Sequence, residues 1–262
     1  MWIDSHCHLN HERFEGEDPA VLLARAGEAG VSAMVNISCQ ITGDFPHVLE
    51  TAEGFENVWC SIGTHPHDAG LAAEKAISQS ELVRLARSSP KIVGIGESGL
   101  DYYYDNSPRE DQQESFRKHI RACIETGLPL IVHSRDAEED TMRIIREEGE
   151  GTALSGVMHC FSSGPKLAAE ALDFGFYLSF SGIVTFKKAV ELQTIAKNTP
   201  LERILVETDA PFLAPEPFRG KTNEPSYVRH TGRFLAALKG VSEEDMAAAT
   251  TENFYRLFAK AA

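Results

Sequence analysis

Eight runs of strand-forming residues alternate with amphipathic stretches along the chain, and this alternation restricts the folds it can adopt. Several runs are continuously apolar, such as Leu130-Ile131-Val132, which is typical of parallel strands buried on both faces. The pattern over 262 residues favours an α/β fold, a (β/α)8 TIM barrel formed as a single domain over residues 1–262. An open doubly wound sheet is the alternative, but no G-x-G-x-x-G motif follows the first strand. The predicted strands are residues 2–8, 33–38, 58–64, 92–98, 128–134, 156–161, 176–180 and 203–209.

The ends of several helices can also be predicted. Asp18 before Pro19 is a favourable N-cap, and Gly30 is a typical residue after a helix end. Ser242 with Asp245 resembles a capping box and predicts the start of the last helix. That helix is amphipathic, so we expect it to cover the bottom of the barrel and the chain to be a monomer. Pairing with a second subunit is the alternative.

The charge balance is acidic, since 25 Lys and Arg against 39 Asp and Glu give a formal net charge of −14. This argues against a broad basic face for nucleic acid, but not against a nuclease whose metal ions and local cations meet the phosphates. The five cysteines form no C-x-x-C pair, which is typical of free thiols in a reducing cytosol. The first motif, at Asp4, leaves no room for a signal peptide, and no apolar run approaches the ~20 residues that span a bilayer. We expect a cytoplasmic protein that does not contact a membrane.

Ionisable residues gather where the predicted strands end. In a TIM barrel the carboxyl ends of all strands meet at one rim, where the active sites of this fold lie. A lone histidine at a strand end is often structural, but several ionisable residues together would leave polar groups unpaired unless an ion bound them. Six residues from five strands are predicted to converge there: His6, His8, Glu97, His133, His159 and Asp209.

This set has too many ligands for one catalytic zinc, which usually has three protein ligands. It suits two divalent metal ions (Mg, Mn or Zn) with Glu97 bridging them. The two histidines of the first strand and Asp209 would complete one site, and His133 and His159 the other. A water activated by the two ions would be the nucleophile, and we assign Glu97 and Asp209 as catalytic residues, with Asp209 as general base.

The motifs that carry these residues resemble those of the TatD family of metal-dependent deoxyribonucleases, in the amidohydrolase superfamily. The resemblance implies a TIM barrel of the metal-dependent hydrolase type, and it carries the family's metal ligands one for one onto the six residues above. It also implies 3′–5′ exonuclease activity on DNA; some members act on RNA, and some have been proposed as D-aminoacyl-tRNA deacylases. The matching stretches are DSHCHL at 4–9, GTHPH at 63–67, GIGESGLDY at 94–102, HSR at 133–135, HCFS at 159–162 and ETDAP at 207–211.

The chain departs from the family pattern at Ser162-Ser163-Gly164, where an extra residue is expected to move the loop after His159. Many amidohydrolases carry a carboxylated lysine at the end of strand 4, whereas this chain has Glu97 there. By this resemblance we expect a phosphodiesterase that trims DNA from an end. Ester or amide hydrolysis, for example of D-aminoacyl-tRNA, is the alternative. A non-enzymatic metal-holding scaffold would not need Glu97 and Asp209 together.

Substrate-binding residues are predicted from positive charge and aromatic character near the rim. Arg135 would meet a phosphate oxygen, with a surface ion pair to Asp136 or Glu138 as the alternative. Tyr102 and the two tyrosines after it would offer a stacking face to an unpaired base. His65 would bind the substrate or support a metal ligand.

The loop after strand 8 is a common phosphate-binding place in this fold, and here it carries Arg219 and Lys221. Lys187 and Lys188, after strand 7, are assigned to a solvated helix face. The expected substrate is DNA, single-stranded or with a frayed 3′ end, and RNA or tRNA are further candidates.

Overall fold

Eight strands, each followed by helical segments, make up the computed structural model, which describes residues 1–14 and 16–262. The strands are β1 (Trp2–Cys7), β2 (Val31–Asn36), β3 (Val58–Ile62), β4 (Ile92–Asp101), β5 (Leu130–Arg135), β6 (Gly156–Met158), β7 (Tyr177–Phe180) and β8 (Ile204–Val206). The α-helices are α1 (Pro19–Glu28), α2 (Phe45–Gly54), α3 (Ala72–Ala76), α4 (Gln79–Ala86), α5 (Arg109–Thr126), α6 (Glu138–Gly149), α7 (Pro165–Asp173), α8 (Val190–Asn198), α9 (Val228–Lys239) and α10 (Glu243–Leu257).

Each strand pairs in parallel with the next along the chain, from β1 to β8. A further parallel bridge joins Cys7 to Ala210, and the His8 backbone N–H donates to the Ala210 carbonyl oxygen over 2.8 Å. The segment after β8 therefore lies beside β1 and nearly closes the ring. The predicted (β/α)8 TIM barrel is confirmed.

All eight predicted strands are present, but several end at other residues. β4 continues to Asp101, three residues beyond the prediction, because Gly99 and Asp101 pair with His133 and Arg135 of β5. β8 is shorter than predicted and ends at Val206. The ionisable residues that follow it lie on a connecting segment.

The predicted helix starts are confirmed by their caps. The Asp18 carboxylate accepts the Ala20 backbone N–H over 2.9 Å at the start of α1. The Ser242 hydroxyl accepts the Asp245 backbone N–H over 3.0 Å at the start of α10. Each side chain satisfies one N–H that has no partner within its helix.

The barrel interior is apolar towards the amino-terminal ends of the strands. Ile131, Val157 and Leu205, from β5, β6 and β8, form one cluster with Phe254 and Phe258. Both phenylalanines are fully buried, which confirms that the last helix covers the bottom of the barrel. None of the helices in the described part of the chain is both long and apolar enough to cross a membrane.

Candidate metal centre

A cleft of about 880 Å³ opens at the carboxyl ends of the strands. Its floor carries five of the six predicted metal ligands, and the sixth, His6, lies buried beneath it. The carboxyl end of each of the eight strands, or the connection that follows it, contributes to its wall. The predicted convergence of these residues is therefore present in the structure.

One group of donor atoms surrounds a point beside β1. The His6 Nε2 atom lies 3.3 Å from His8 Nε2, 3.3 Å from Glu97 Oε2 and 3.7 Å from Asp209 Oδ1. The His8 Nε2 atom lies 3.4 Å from Asp209 Oδ1 and 4.0 Å from Glu97 Oε2. Bonds of about 2.1 Å from a metal ion to its ligands put the edges of a coordination tetrahedron at about 3.4 Å, so these separations suit one divalent ion.

A second group surrounds the other oxygen of Glu97. Its Oε1 atom lies 2.7 Å from His133 Nδ1, 2.8 Å from His159 Nε2 and 3.4 Å from His65 Nε2. The two carboxylate oxygens thus face two separate sets of imidazoles. Three imidazole nitrogens and one carboxylate oxygen are donors that suit a borderline metal such as Zn²⁺ or Mn²⁺.

The ligand imidazoles are oriented by partners behind them. Glu207 Oε1 lies 3.1 Å from His159 Nδ1, and Asp101 Oδ2 lies 3.2 Å from His133 Nε2. A carboxylate accepts the N–H of the ring nitrogen it faces, so the other nitrogen presents its lone pair to the centre. Glu207 and Asp101 therefore orient His159 and His133 towards the centre.

Cys39 plays a similar part for the first group, because its Sγ lies 3.8 Å from His8 Nδ1. The remaining ligand ring is less well satisfied, since His6 Nδ1 is buried without a hydrogen-bond partner in residues 1–14 and 16–262.

The charges in the centre keep its carboxylates ionised. Burial would raise the pKa of Glu97, but the charge of His159 and the hydrogen bond from His133 outweigh it and hold the pKa well below its ordinary value. Burial would likewise raise the pKa of Asp209, but the hydrogen bond from His8 and the charge of His159 hold it low. Two ionised carboxylates surrounded by imidazole nitrogens form a cation site.

Asp209 is positioned through β1. Its backbone N–H donates to the His6 carbonyl oxygen over 2.9 Å. The preceding residue is held by Asp4, whose Oδ1 accepts the Thr208 N–H over 2.9 Å and whose Oδ2 accepts the Thr208 hydroxyl over 2.5 Å. Burial raises the pKa of Asp4 to about 8, and its hydrogen bonds to Thr208 oppose the shift.

The predicted substrate-binding residues lie in different places. His65 lies within the centre, and burial lowers its pKa to about 4, so it is neutral at neutral pH. Arg135 lines the cleft and makes no ion pair with Asp136 or Glu138 in the described chain; its guanidinium lies 4.1 Å from the centre of the Tyr103 ring.

Tyr102 points away from the cleft, and its hydroxyl donates to Asp140 Oδ2 over 2.8 Å. Tyr104 lines the cleft instead, with more than half of its surface exposed. A stacking role for this run of tyrosines stays a prediction, and the geometry favours Tyr104 over Tyr102.

Arg219 and Lys221 are exposed on the loop after β8 and do not line the cleft. The Arg219 guanidinium lies over the Phe186 ring at 4.4 Å. The assignment of Lys187 and Lys188 to a helix face is wrong: they lie in a turn before α8, because the preceding 3₁₀ turn (Gly182–Thr185) and the helix do not join.

Sequence reasoning missed Asp101, which faces His133 and also accepts from His67 Nε2 over 2.9 Å. The signal was available, because Glu97 and Asp101 are an even number of residues apart on one strand. Cys160, next to His159, also lines the cleft. The loop after His159 carries the additional residue at Ser162-Ser163-Gly164, and His159 Nε2 still lies 2.8 Å from Glu97 Oε1.

The chain belongs to the TatD family, because the family model described as "TatD related DNase" matches residues 3–259. It is similar to the metal-dependent hydrolase YcfH of Escherichia coli (strain K12), with 43% identity over 98% of this chain and 95% of YcfH. It is 41% identical to the metal-dependent hydrolase YabD of Bacillus subtilis (strain 168), over 98% of this chain and 99% of YabD. The solved structure of YjjV, a TatD homologue from Escherichia coli K12, superposes with a TM-score of 0.89 at 28% identity and 98% coverage of both chains. The chain is accordingly a metal-dependent hydrolase of the TatD type.

Proposed function

We propose that this protein is a deoxyribonuclease that removes nucleotides from the 3′ end of DNA with the help of two divalent metal ions. The observation that carries the proposal is the division of donor atoms around Glu97. Its Oε2 atom belongs to the first group of donors, and its Oε1 atom belongs to the second. A carboxylate whose two oxygens face separate sets of imidazoles is a donor arrangement that suits two metal ions.

His6, His8 and Asp209 would hold one ion with Glu97, and His133 and His159 would hold the other. Ions bound there would lower the pKa of water and neutralise the charge of a phosphodiester. Because the donor set combines imidazoles with carboxylates, Mg, Mn and Zn are all candidate ions.

The protein side chains have separate roles around the scissile bond. Asp209, kept ionised by its neighbours, accepts the proton of the attacking water at a carboxylate oxygen. His65 is neutral, so it binds the substrate as a hydrogen-bond partner and not as a cation. Arg135, at the cleft wall without an ion-pair partner in the described chain, supplies positive charge to a phosphate oxygen.

The family's description as a DNase supports a nucleic-acid substrate, and Glu97 in place of a carboxylated lysine supports the nuclease branch. We further propose that the protein is a single-domain monomer. We also propose that it is cytoplasmic, because all five cysteines are free thiols, as is usual in a reducing compartment. RNA or tRNA would enter the same cleft.

The test is hydrolysis of a 5′-labelled single-stranded DNA oligonucleotide by protein stripped of metal and then supplied with Mg²⁺ or Mn²⁺. We expect a ladder that shortens from the 3′ end, and we expect it to disappear in Asp209→Asn. Asp105→Asn is the matched control, because Asp105 is exposed and, in the part of the chain that the structure describes, pairs only with Arg109. No cleavage with either metal would refute the nuclease and direct the search to esters such as D-aminoacyl-tRNA.

A further inference from the structure

Most of the chain's 25 lysine and arginine side chains make an ion pair or donate to a backbone carbonyl. Seven of these side chains in the described chain do neither, and six of the seven lie at or after the carboxyl ends of β1, β5, β7 and β8, where the cleft opens. Within residues 1–14 and 16–262, the side chains that do neither are Arg13, Arg135, Lys187, Lys188, Lys197, Arg219 and Lys221.

Four of these cations lie on two loops that contact each other, residues 186–188 after β7 and residues 218–221 after β8. We name these residues the cationic loop pair. Lys187, Lys188, Arg219 and Lys221 are all exposed. The Arg219 guanidinium over the Phe186 ring, at 4.4 Å, joins the two loops.

The cationic loop pair borders the cleft. Ile183 and Leu213, from the same two connections, line the cleft wall. The two connections touch there, because a Cβ atom on Gly182 would lie only 2.0 Å from the Leu213 carbonyl oxygen. The four cations therefore lie on connections that form part of the cleft wall.

This charge distribution favours a polyanion as the occupant of the surface. A chain with a formal net charge of −14 repels polyanions over most of its surface. Glu216 is the acidic residue nearest in sequence to Arg219, and it makes no ion pair with the four cations in the described chain. Four exposed like charges that make no ion pair within residues 1–14 and 16–262 gain most from a ligand that carries several phosphates.

We propose that the cationic loop pair is an exosite for the backbone phosphates of a polynucleotide strand, several nucleotides away from the bond that is cleaved. The inference rests on the proposed function, since it names how the same substrate is held outside the centre. It implies that long strands bind more tightly than short ones and that a small phosphodiester does not use the surface at all.

The test compares the parent protein with the variant Lys187→Gln, Lys188→Gln, Arg219→Gln, Lys221→Gln, both loaded with Mn²⁺. A control carries the same loss of charge at four exposed cations away from the cleft: Arg84→Gln, Arg87→Gln, Lys197→Gln and Arg256→Gln. Binding of a fluorescein-labelled oligothymidylate of about 24 nucleotides, protected by phosphorothioate linkages, is measured by anisotropy against salt. Hydrolysis of bis(p-nitrophenyl) phosphate reports on the centre itself.

Each phosphate contact to a single strand contributes about 0.7 to the slope of log affinity against log salt, so the exosite variant should lose a slope of about 3. Between 50 and 200 mM salt the parent's affinity then falls roughly fifty-fold more than the variant's. The control should keep the parent's slope, and all three proteins should hydrolyse the small diester equally.

Equal slopes and affinities in the parent and the exosite variant would overturn the exosite, even if the diester is hydrolysed. If no protein hydrolyses any phosphodiester, the proposed nuclease fails, and with it the assignment of the bound strand as substrate. A variant that loses diester hydrolysis as well would show that the two loops belong to the centre, which contradicts an exosite.

Discussion

The lower half of the barrel interior is built from apolar side chains, whereas the upper half is built from ionisable ones. The change takes place within two residues of the same strand or connection. Ile131 is followed by His133, and Val157 is followed by His159. Side chains two apart share a face, so both layers point into one interior. The lower layer is stabilised by close packing alone, and the upper layer has to pair every polar atom it buries.

This pairing is incomplete in the upper layer. Within the described chain, His6 Nδ1 and Glu207 Oε2 are buried and have no hydrogen-bond partner. Leaving such groups unpaired costs about 1–3 kcal/mol each. The comparison implies that changes in the lower layer affect stability, whereas changes in the upper layer affect metal binding.

The largest expected effect on stability lies at the bottom of the barrel. Phe258 is fully buried against the apolar layer, so Phe258→Ala should lower the free energy of unfolding by about 3–5 kcal/mol. Urea unfolding measures the loss, and the metal content per folded chain should not change. Val190→Ala, at an exposed apolar residue, is the control and should change stability by less than about 0.5 kcal/mol. A Phe258→Ala protein of near-parental stability would contradict the claim that the lower layer determines the stability of the barrel.

Acid should destabilise the fold through a buried histidine of α5, which contacts the connection after β3. His119 Nε2 accepts the Thr64 N–H over 3.0 Å, and its Nδ1 donates to the Ser115 carbonyl oxygen over 2.7 Å. Burial lowers the pKa of His119 to about 4, so the neutral ring stabilises the fold above the unfolded pKa of about 6.5. That contribution, about 3 kcal/mol, is lost as the pH falls from about 6.5 to 4.

Unfolding by urea at pH values from 7.5 to about 4 measures this loss in the parent and in His119→Gln. The variant, which cannot be protonated there, should show a flatter dependence of stability on pH. Identical pH dependence in the two proteins would contradict the assignment.

Asp101→Asn should weaken metal binding while leaving the fold intact. Asp101 Oδ1 accepts the Tyr103 and Tyr104 backbone N–H groups, so an asparagine would keep its oxygen there and turn its NH₂ towards His133. His133 Nε2 would then have to accept, which moves the ring proton to Nδ1, the atom that faces Glu97. We expect a roughly 10- to 100-fold loss of affinity at one of two metal positions, measured by calorimetry.

The smallest expected effect concerns the helix that covers the bottom. Ser242→Ala removes the N-cap of α10 and should cost about 1 kcal/mol, because one helical N–H loses its partner. Hydrogen exchange should speed up in the first turn of α10 and leave Phe258 protected. Equal acceleration throughout the helix would show that its start and its buried end are one cooperative unit.

The sequence was sufficient to predict the TIM barrel and to predict that the six candidate metal ligands converge at its rim. Buried parallel strands leave long apolar runs such as Leu130-Ile131-Val132, and their carboxyl ends carry His133 and its counterparts. The rest depends on features without a local signature. Cys39 meets His8 across a 31-residue separation, and the turn after β4 decides which of the three tyrosines faces the cleft.

The measurement that tests the account most directly is anomalous diffraction at the manganese edge from crystals soaked in Mn²⁺. We predict two peaks in the cleft, one between His6, His8 and Glu97 Oε2 and one between His133, His159 and Glu97 Oε1. Both peaks should disappear in Glu97→Gln, with the barrel unchanged. A single peak, or two peaks that persist in the variant, would contradict the division of the centre by Glu97.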